Sequence, residues 1–330
     1  MKRKLKTNIK IIISCVIILL AICLFLVTFK YLKDKNYNDP LIDDNVEEKI
    51  KDMDEEDIYY EDALKELGYS EFDIKYINYR FSKKDIEKYL LGKTNQGISD
   101  YMKSINFKIE HLDRYLSYDK LNDYDKNTVV IYVEIGLDQE FYTNIKEVID
   151  YDSEQVLVNK YHKLPSNYEA NDLVVIEKPY SNSSQSIKDV VLDPLKQMID
   201  AAKEENLKLQ VISAYRTESV QKYLFNNSKK KNGLEHALIY SAKPGHSEHQ
   251  TGFAVDLNSV EETFADTKQY AWLKENAYKY GFIERYPKGK EFITGYGYEP
   301  WHYRYVGNGV ANIINNENIT FEEYVVKYLN

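Results

Sequence analysis

The chain has 330 residues, with 44 Lys and Arg against 53 Asp and Glu. Six of the basic residues lie at or before Lys30, so the rest carries 38 against 53, near −15, which excludes nucleic acid as a partner because that binding rests on neutralising phosphates. Cys15 and Cys23 both fall in the first 30 residues, so everything after them has neither a disulfide nor a thiol nucleophile.

Residues 11–29 form an apolar run without charge, long enough to cross a bilayer core as a helix. Lys2, Arg3, Lys4, Lys6 and Lys10 precede it, which predicts a cytoplasmic N-terminus and an exported remainder. No small-x-small cleavage site follows, so the run reads as a single-pass membrane anchor within residues 1–30 rather than a cleaved signal. Residues 31–57 are polar and strongly acidic and read as a solvated linker.

Residues 58–150 predict a small, mostly helical region. Ala63, Leu64 and Leu67 share one face, and Gly68 can close that helix. Ser70 with Asp73, and Ser82 with Asp85, resemble capping boxes that open two further helices. Ile109, Leu112, Tyr115 and Leu116 mark another helix. Residues 128–136, rich in Val, Ile and Tyr, read as a strand.

Residues 151–330 predict an α+β domain. Short strands are expected at 156–158 and 173–176. A helix over 187–205 turns Val190, Val191, Leu195, Met198 and Ile199 inward. A strand at 209–214, a helix over 218–225 and a strand at 254–257 follow. A helix over 267–280 is closed by Gly281, strands are expected at 282–286 and 301–306, and the tail at 321–329 reads as a packed helix.

The chemistry gathers in two strings. In Ser247-Glu248-His249-Gln250-Thr251-Gly252-Phe253-Ala254-Val255-Asp256, His and Asp are both good zinc ligands. On one straight strand His249 and Asp256 would stand roughly 23 Å apart at ~3.3 Å per residue. They share a metal only if the chain bends, and Gly252 is the residue that permits a bend. Asp256 lies between Val255 and Leu257, where an unpaired carboxylate is expensive. Either a metal or an arginine satisfies it. His246 and His249 are both candidates, and spacing does not choose between them.

The second string is Glu299-Pro300-Trp301-His302. Pro300 holds Glu299 extended, so this is not a helical Glu-x-x-His pair. Trp301, Tyr303 and Tyr305 alternate with His302, which turns the histidine away from the aromatic face and toward a cleft. His302 then completes a His-Asp-His set with an open fourth position, and Glu299 beside it suits a general base. The alternative is an ordinary strand histidine with a surface glutamate. In Ser213-Ala214-Tyr215-Arg216-Thr217, Arg216 can project from a strand end with a guanidinium suited to a carboxylate or an oxyanion. Gln221 follows one helical turn after Thr217. His111, His162 and His236 read as structural or exposed.

Taken together with Val156-Leu157-Val158-Asn159-Lys160 and Pro244-Gly245-His246, these strings resemble the zinc D-alanyl-D-alanine carboxypeptidases of the VanY type over roughly residues 155–320. The resemblance implies a hedgehog-like α+β fold with a central antiparallel sheet. It chooses His249 over His246 and puts His249, Asp256 and His302 on Zn2+, with Glu299 as base and Arg216 on the developing oxyanion. It implies that Ser247 and Gln221 help hold the substrate's terminal D-residue, and Tyr215 and Trp301 are further candidate substrate contacts. The implied reaction is hydrolysis of the terminal D-Ala-D-Ala bond of peptidoglycan stem peptides. L,D-carboxypeptidase or D,D-dipeptidase action on the same fold, and a non-catalytic wall-binding module with structural zinc, are the alternatives.

Overall fold

The computed structural model describes residues 44–166 and 168–329. The apolar run 11–29, its basic flank, both cysteines and the first part of the acidic linker lie outside them. Among the described residues no helix is long and apolar enough to cross a membrane. The chain divides into two compact units, one running through residue 130 apart from 120–122, the other holding 120–122 and 131 onward.

The first unit is helical: α1 Asp44–Lys51, α2 Glu61–Glu66, α3 Glu71–Arg80, α4 Lys83–Tyr89, α5 Ile98–Met102 and α6 Leu112–Asp119. Ser70 caps α3 as its sequence predicts, accepting from the Asp73 amide while the Asp73 carboxylate accepts from the Ser70 amide. Ser82 caps α4 through the Asp85 amide. Leu64, Ile74, Ile77, Ile86, Tyr101 and Tyr115 are buried.

Residues 128–136 are not a strand. They belong to α7, Lys126–Ile135. The β-branched run suggests a strand, yet the Asp125 carboxylate accepts from the Thr128 amide and hydroxyl and caps a helix. Val129, Val130 and Val133 are fully buried, and burial outweighs the weak strand preference. The division between the two compact units falls inside this helix. Residues 131–150 cluster with the second unit, where the Tyr161 hydroxyl donates to the Gln139 carbonyl and β1 Lys146–Glu147 pairs in parallel with β2 His162–Lys163.

The second unit is mixed α/β. β3 Leu173–Ile176 and β4 Gln185–Lys188 form an antiparallel pair. α8 Asp189–Glu204 packs on them, and after it come β5 Val211–Ser213, α9 Glu218–Asn232 and α10 Leu234–Tyr240. The remainder is β6 Ala254–Leu257, α11 Lys268–Asn276, β7 Phe282–Glu284, α12 Glu291–Thr294, β8 His302–Tyr305, α13 Asn308–Glu317 and α14 Phe321–Leu329. β5, β6, β8 and β7 make one antiparallel sheet in that order. Val191, Leu195 and Met198 of α8 share a core with Val255, Leu257, Phe282 and Tyr303.

Three expectations shift here. Ile187 sits in β4 opposite Val174, not in the helix, and Val190 points to solvent. Among the described residues, 156–158 pair with no strand. Val156 and Val158 are buried, and Arg304 satisfies the backbone by donating to the carbonyls of Glu154 and Val156.

Candidate metal centre

The sheet order puts β6 and β8 side by side at its centre, and Asp256 on β6 is the direct partner of His302 on β8. Trp301, Tyr303 and Tyr305 enter the apolar core as the alternation predicts, which leaves His302 on the other face. His249 comes from a single 3-10 turn, Glu248–Thr251, closed by Gly252 at φ 78°. A Cβ on Gly252 would meet Lys188 Cγ at 3.1 Å and Leu173 Cδ2 at 3.2 Å, so the bend needs glycine for both conformation and space. The turn returns His249 Nε2 to 3.3 Å from Asp256 Oδ1, and His302 Nδ1 lies 3.2 Å from the same oxygen.

These spacings fit a metal. Ligands at about 2.0–2.1 Å from a tetrahedral zinc stand roughly 3.3 Å apart. All three side chains are buried, and their donor atoms fall within 4.8 Å of one another. Asp256 Oδ1 is buried and, apart from the two imidazoles at 3.2 and 3.3 Å, has no polar partner, as a carboxylate oxygen reserved for a metal would be. His249 Nδ1 lies 2.7 Å from the Ala214 carbonyl, which holds the proton there and leaves Nε2 free as a ligand. Burial, with Arg216 nearby, lowers the His249 imidazole to about 4 and keeps it neutral. Burial opposes charge on Asp256, but the two imidazoles outweigh it and hold the carboxyl well below the usual range. Burial likewise opposes charge on His302, yet Asp256 and Glu248 raise it to about 9.

Around this centre lies a cleft of about 650 Å³. Glu299 lines it, with its carboxylate 3.7 Å from His302 Nδ1, and burial pushes that carboxyl up to about 7. Arg216 donates through Nη1 to Ser213 Oγ at 2.7 Å and reaches Asp256 Oδ2 at 3.5 Å, while its buried Nε has no partner. Gln221 and Ser247 are buried in the lining. Gln221 donates to the Ala242 carbonyl at 2.8 Å and its Oε1 has no partner. Trp301 also lines the cleft, but Tyr215 does not, because its phenol turns toward the Ala170 backbone. His246 stands apart from the triad with Nδ1 2.8 Å from the Asn159 carbonyl. His162 Nδ1 faces Asn159 Oδ1, and His236 is exposed at the cleft rim.

Sequence reasoning gave Glu248 no role. It is fully buried, and its Oε2 lies 3.4 Å from His302 Nε2. Arg285 Nε and Arg304 Nη1 both donate to its other oxygen, at 2.7 and 3.2 Å. Arg285 in turn donates twice to Glu322 on α14. The available signal was an arginine in each of two apolar strands, which demands a buried partner.

A carboxylate and two histidines converging on one buried point, with a further carboxylate and a guanidinium in the same cleft, define a metallohydrolase site on a mixed α/β scaffold. The profile of the family described as VanY, D-alanyl-D-alanine carboxypeptidase, matches residues 184–308. The chain is 42% identical over 210 residues to the putative carboxypeptidase YodJ of Bacillus subtilis strain 168, covering 59% of this chain and 77% of that protein. It is 35% identical over 176 residues to the bifunctional D-Ala-D-Ala dipeptidase and carboxypeptidase VanXYC of Enterococcus gallinarum, covering 51% and 91%. The solved structure of the LdcB LD-carboxypeptidase, described as revealing peptidoglycan recognition, is similar at a TM-score of 0.53 and 41% identity, over 57% of this chain and 92% of that one. The chain therefore belongs to the VanY-type D-alanyl-D-alanine carboxypeptidases.

Proposed function

We propose that the protein is a zinc carboxypeptidase that removes the terminal D-alanine from peptidoglycan stem peptides ending in D-Ala-D-Ala. The convergence of His249 Nε2, Asp256 Oδ1 and His302 Nδ1 beside Glu299 carries this reading. These three residues would hold Zn2+, which when bound supplies Lewis-acid polarisation of the scissile carbonyl and acidifies water. Among the described residues the cluster comprises three ligands, which supports an open catalytic position over a closed structural one.

Glu299 acts as the base. In the metal-free protein burial lifts its carboxyl to about 7, so it is a stronger base than an exposed carboxylate, as a group that first takes and later returns a proton requires. It takes the proton of the attacking water and passes it to the leaving amine. Arg216, which lines the cleft, offers its guanidinium to the developing oxyanion. Gln221 and Ser247 present polar atoms to the terminal D-residue, and Trp301 supplies an apolar wall.

A second reading, L,D-carboxypeptidase action on tetrapeptide stems, is favoured by the likeness to the LdcB LD-carboxypeptidase. Incubating the zinc-loaded full-length protein with pentapeptide stems, tetrapeptide stems and free D-Ala-D-Ala separates the readings. Release of D-alanine from the pentapeptide alone supports the first, and from the tetrapeptide the second. Membrane anchoring through residues 11–29 belongs to this proposal, and partition of the chain, but not of a chain lacking residues 1–30, into the membrane fraction tests it.

A further inference from the structure

The two histidines of the triad present opposite ring nitrogens to the centre. His249 offers Nε2, and a backbone carbonyl fixes the proton on its Nδ1. His302 offers Nδ1, so its proton must sit on Nε2. The group facing that nitrogen is the Glu248 carboxylate, at 3.4 Å. Both arginines bond to Glu248 Oε1, and this leaves Oε2 to the imidazole. Glu248 also sits beside His249 in the 3-10 turn, so one turn serves both histidines.

We propose that Glu248 is a positioning residue for the metal site, fixing the tautomer and ring orientation of His302, with Arg285, Arg304 and Glu322 holding its carboxylate in place. This rests on the reading of His302 as a zinc ligand. The cost of the network supports it. Glu248, Arg285, Arg304 and Glu322 are essentially inaccessible to solvent, and such buried ionic clusters are often no more stable than well-packed apolar side chains of the same volume. Stability alone therefore does not account for four charges at this place. Orientation of a ligand does, because outer carboxylates of this kind commonly contribute 10–100-fold to metal affinity. Arg304 is fixed by the carbonyls of Glu154, Val156 and Tyr305, and Arg285 by Glu322, so Glu248 has little freedom to turn away.

The test compares zinc affinity, by competition with a chromogenic chelator, in the full-length wild type, Glu248→Gln and Glu322→Gln. Glu248→Gln is expected to weaken zinc binding about 10–100-fold. Glu322→Gln loosens Arg285 without touching His302, and is expected to lower the melting temperature of the metal-free protein while weakening zinc binding clearly less than Glu248→Gln does. If Glu248→Gln does not fold, Glu248→Gln/Arg304→Met keeps the buried charge balanced and takes its place. In zinc-loaded wild type, the His302 Nε2 proton should be seen by nitrogen-15 NMR and exchange slowly with water. Unchanged affinity in Glu248→Gln, equal loss in Glu322→Gln, or a rapidly exchanging Nε2 proton overturns the proposal. Failure of the wild type to bind zinc would instead overturn the underlying reading of the triad.

Discussion

Asp256 and His302 are direct partners across the β6–β8 ladder, and Asp256 Oδ1 lies 3.2 Å from His302 Nδ1. Two of the three candidate ligands are thus set by strand register, not by loop conformation. A slip of one residue would turn one of them to the opposite face. Asp256→Asn keeps the volume and loses the charge and the lone-pair strength. Zinc affinity measured by calorimetry should fall at least about 100-fold, since neutral amides are poor zinc ligands. Binding as tight as wild type would remove Asp256 from the ligand set.

Gly252 closes the turn that brings His249 back to Asp256. Gly252→Ala forces a Cβ into a left-handed conformation, against Lys188 and Leu173. A loss of about 1–3 kcal/mol is expected in urea unfolding of the metal-free protein, together with weaker zinc binding as His249 shifts. Unchanged stability and affinity would show that the bend does not depend on glycine.

Arg216 is held by Ser213 and by its approach to Asp256 while its Nε stays unpaired. Lysine keeps the charge but not the planar fork. Arg216→Lys should lower kcat on stem peptide by about 10²–10³ if the guanidinium stabilises the oxyanion. Bound zinc per chain, measured by mass spectrometry, should stay near that of wild type. A change confined to KM would assign Arg216 to substrate binding alone.

His162 gives the fold a pH dependence away from the cleft. Burial, with Lys146 nearby, lowers its imidazole to about 4, against an unfolded value near 6.5. Between those values the unfolded chain binds more protons, so the contribution of His162 is complete above pH 6.5 and is lost as pH falls toward 4. At most about 3 kcal/mol is involved. Urea unfolding of chelator-treated wild type and His162→Gln, from pH 7.5 to 4.5, should show a steeper acid loss in the wild type. Parallel curves would refute this contribution.

Much of the site was legible because short-range chain geometry fixes it. Gly252 bends the path, Pro300 excludes a helix, and the alternation through Tyr303 and Tyr305 sets the facing of His302. Strand Ala254–Leu257 and helix Phe321–Leu329 have the bounds their patterns predict. What escaped was decided elsewhere in the molecule. Helix Lys126–Ile135 carries a strand-like composition, and only its Asp125 cap and its burial settle the matter. Residues 156–158 look like a strand because they are apolar and two of them are β-branched, but an arginine about 150 positions away takes the place of a neighbouring strand. The partners of Glu248 stand 37, 54 and 56 positions off, a relation no local pattern carries. Tyr215, beside Arg216 in sequence, turns its phenol to the Ala170 backbone instead of the cleft, a partner that no local pattern reveals.

The central claim is that Glu299 works as a base beside a metal held by His249, Asp256 and His302. Zinc-loaded Glu299→Gln keeps the shape of the side chain and removes its basicity. Its kcat on the pentapeptide stem should fall by about 10²–10⁴, with zinc affinity within a few-fold of wild type, because Glu299 is not needed as a ligand. Near-normal turnover by Glu299→Gln with zinc bound would contradict the account.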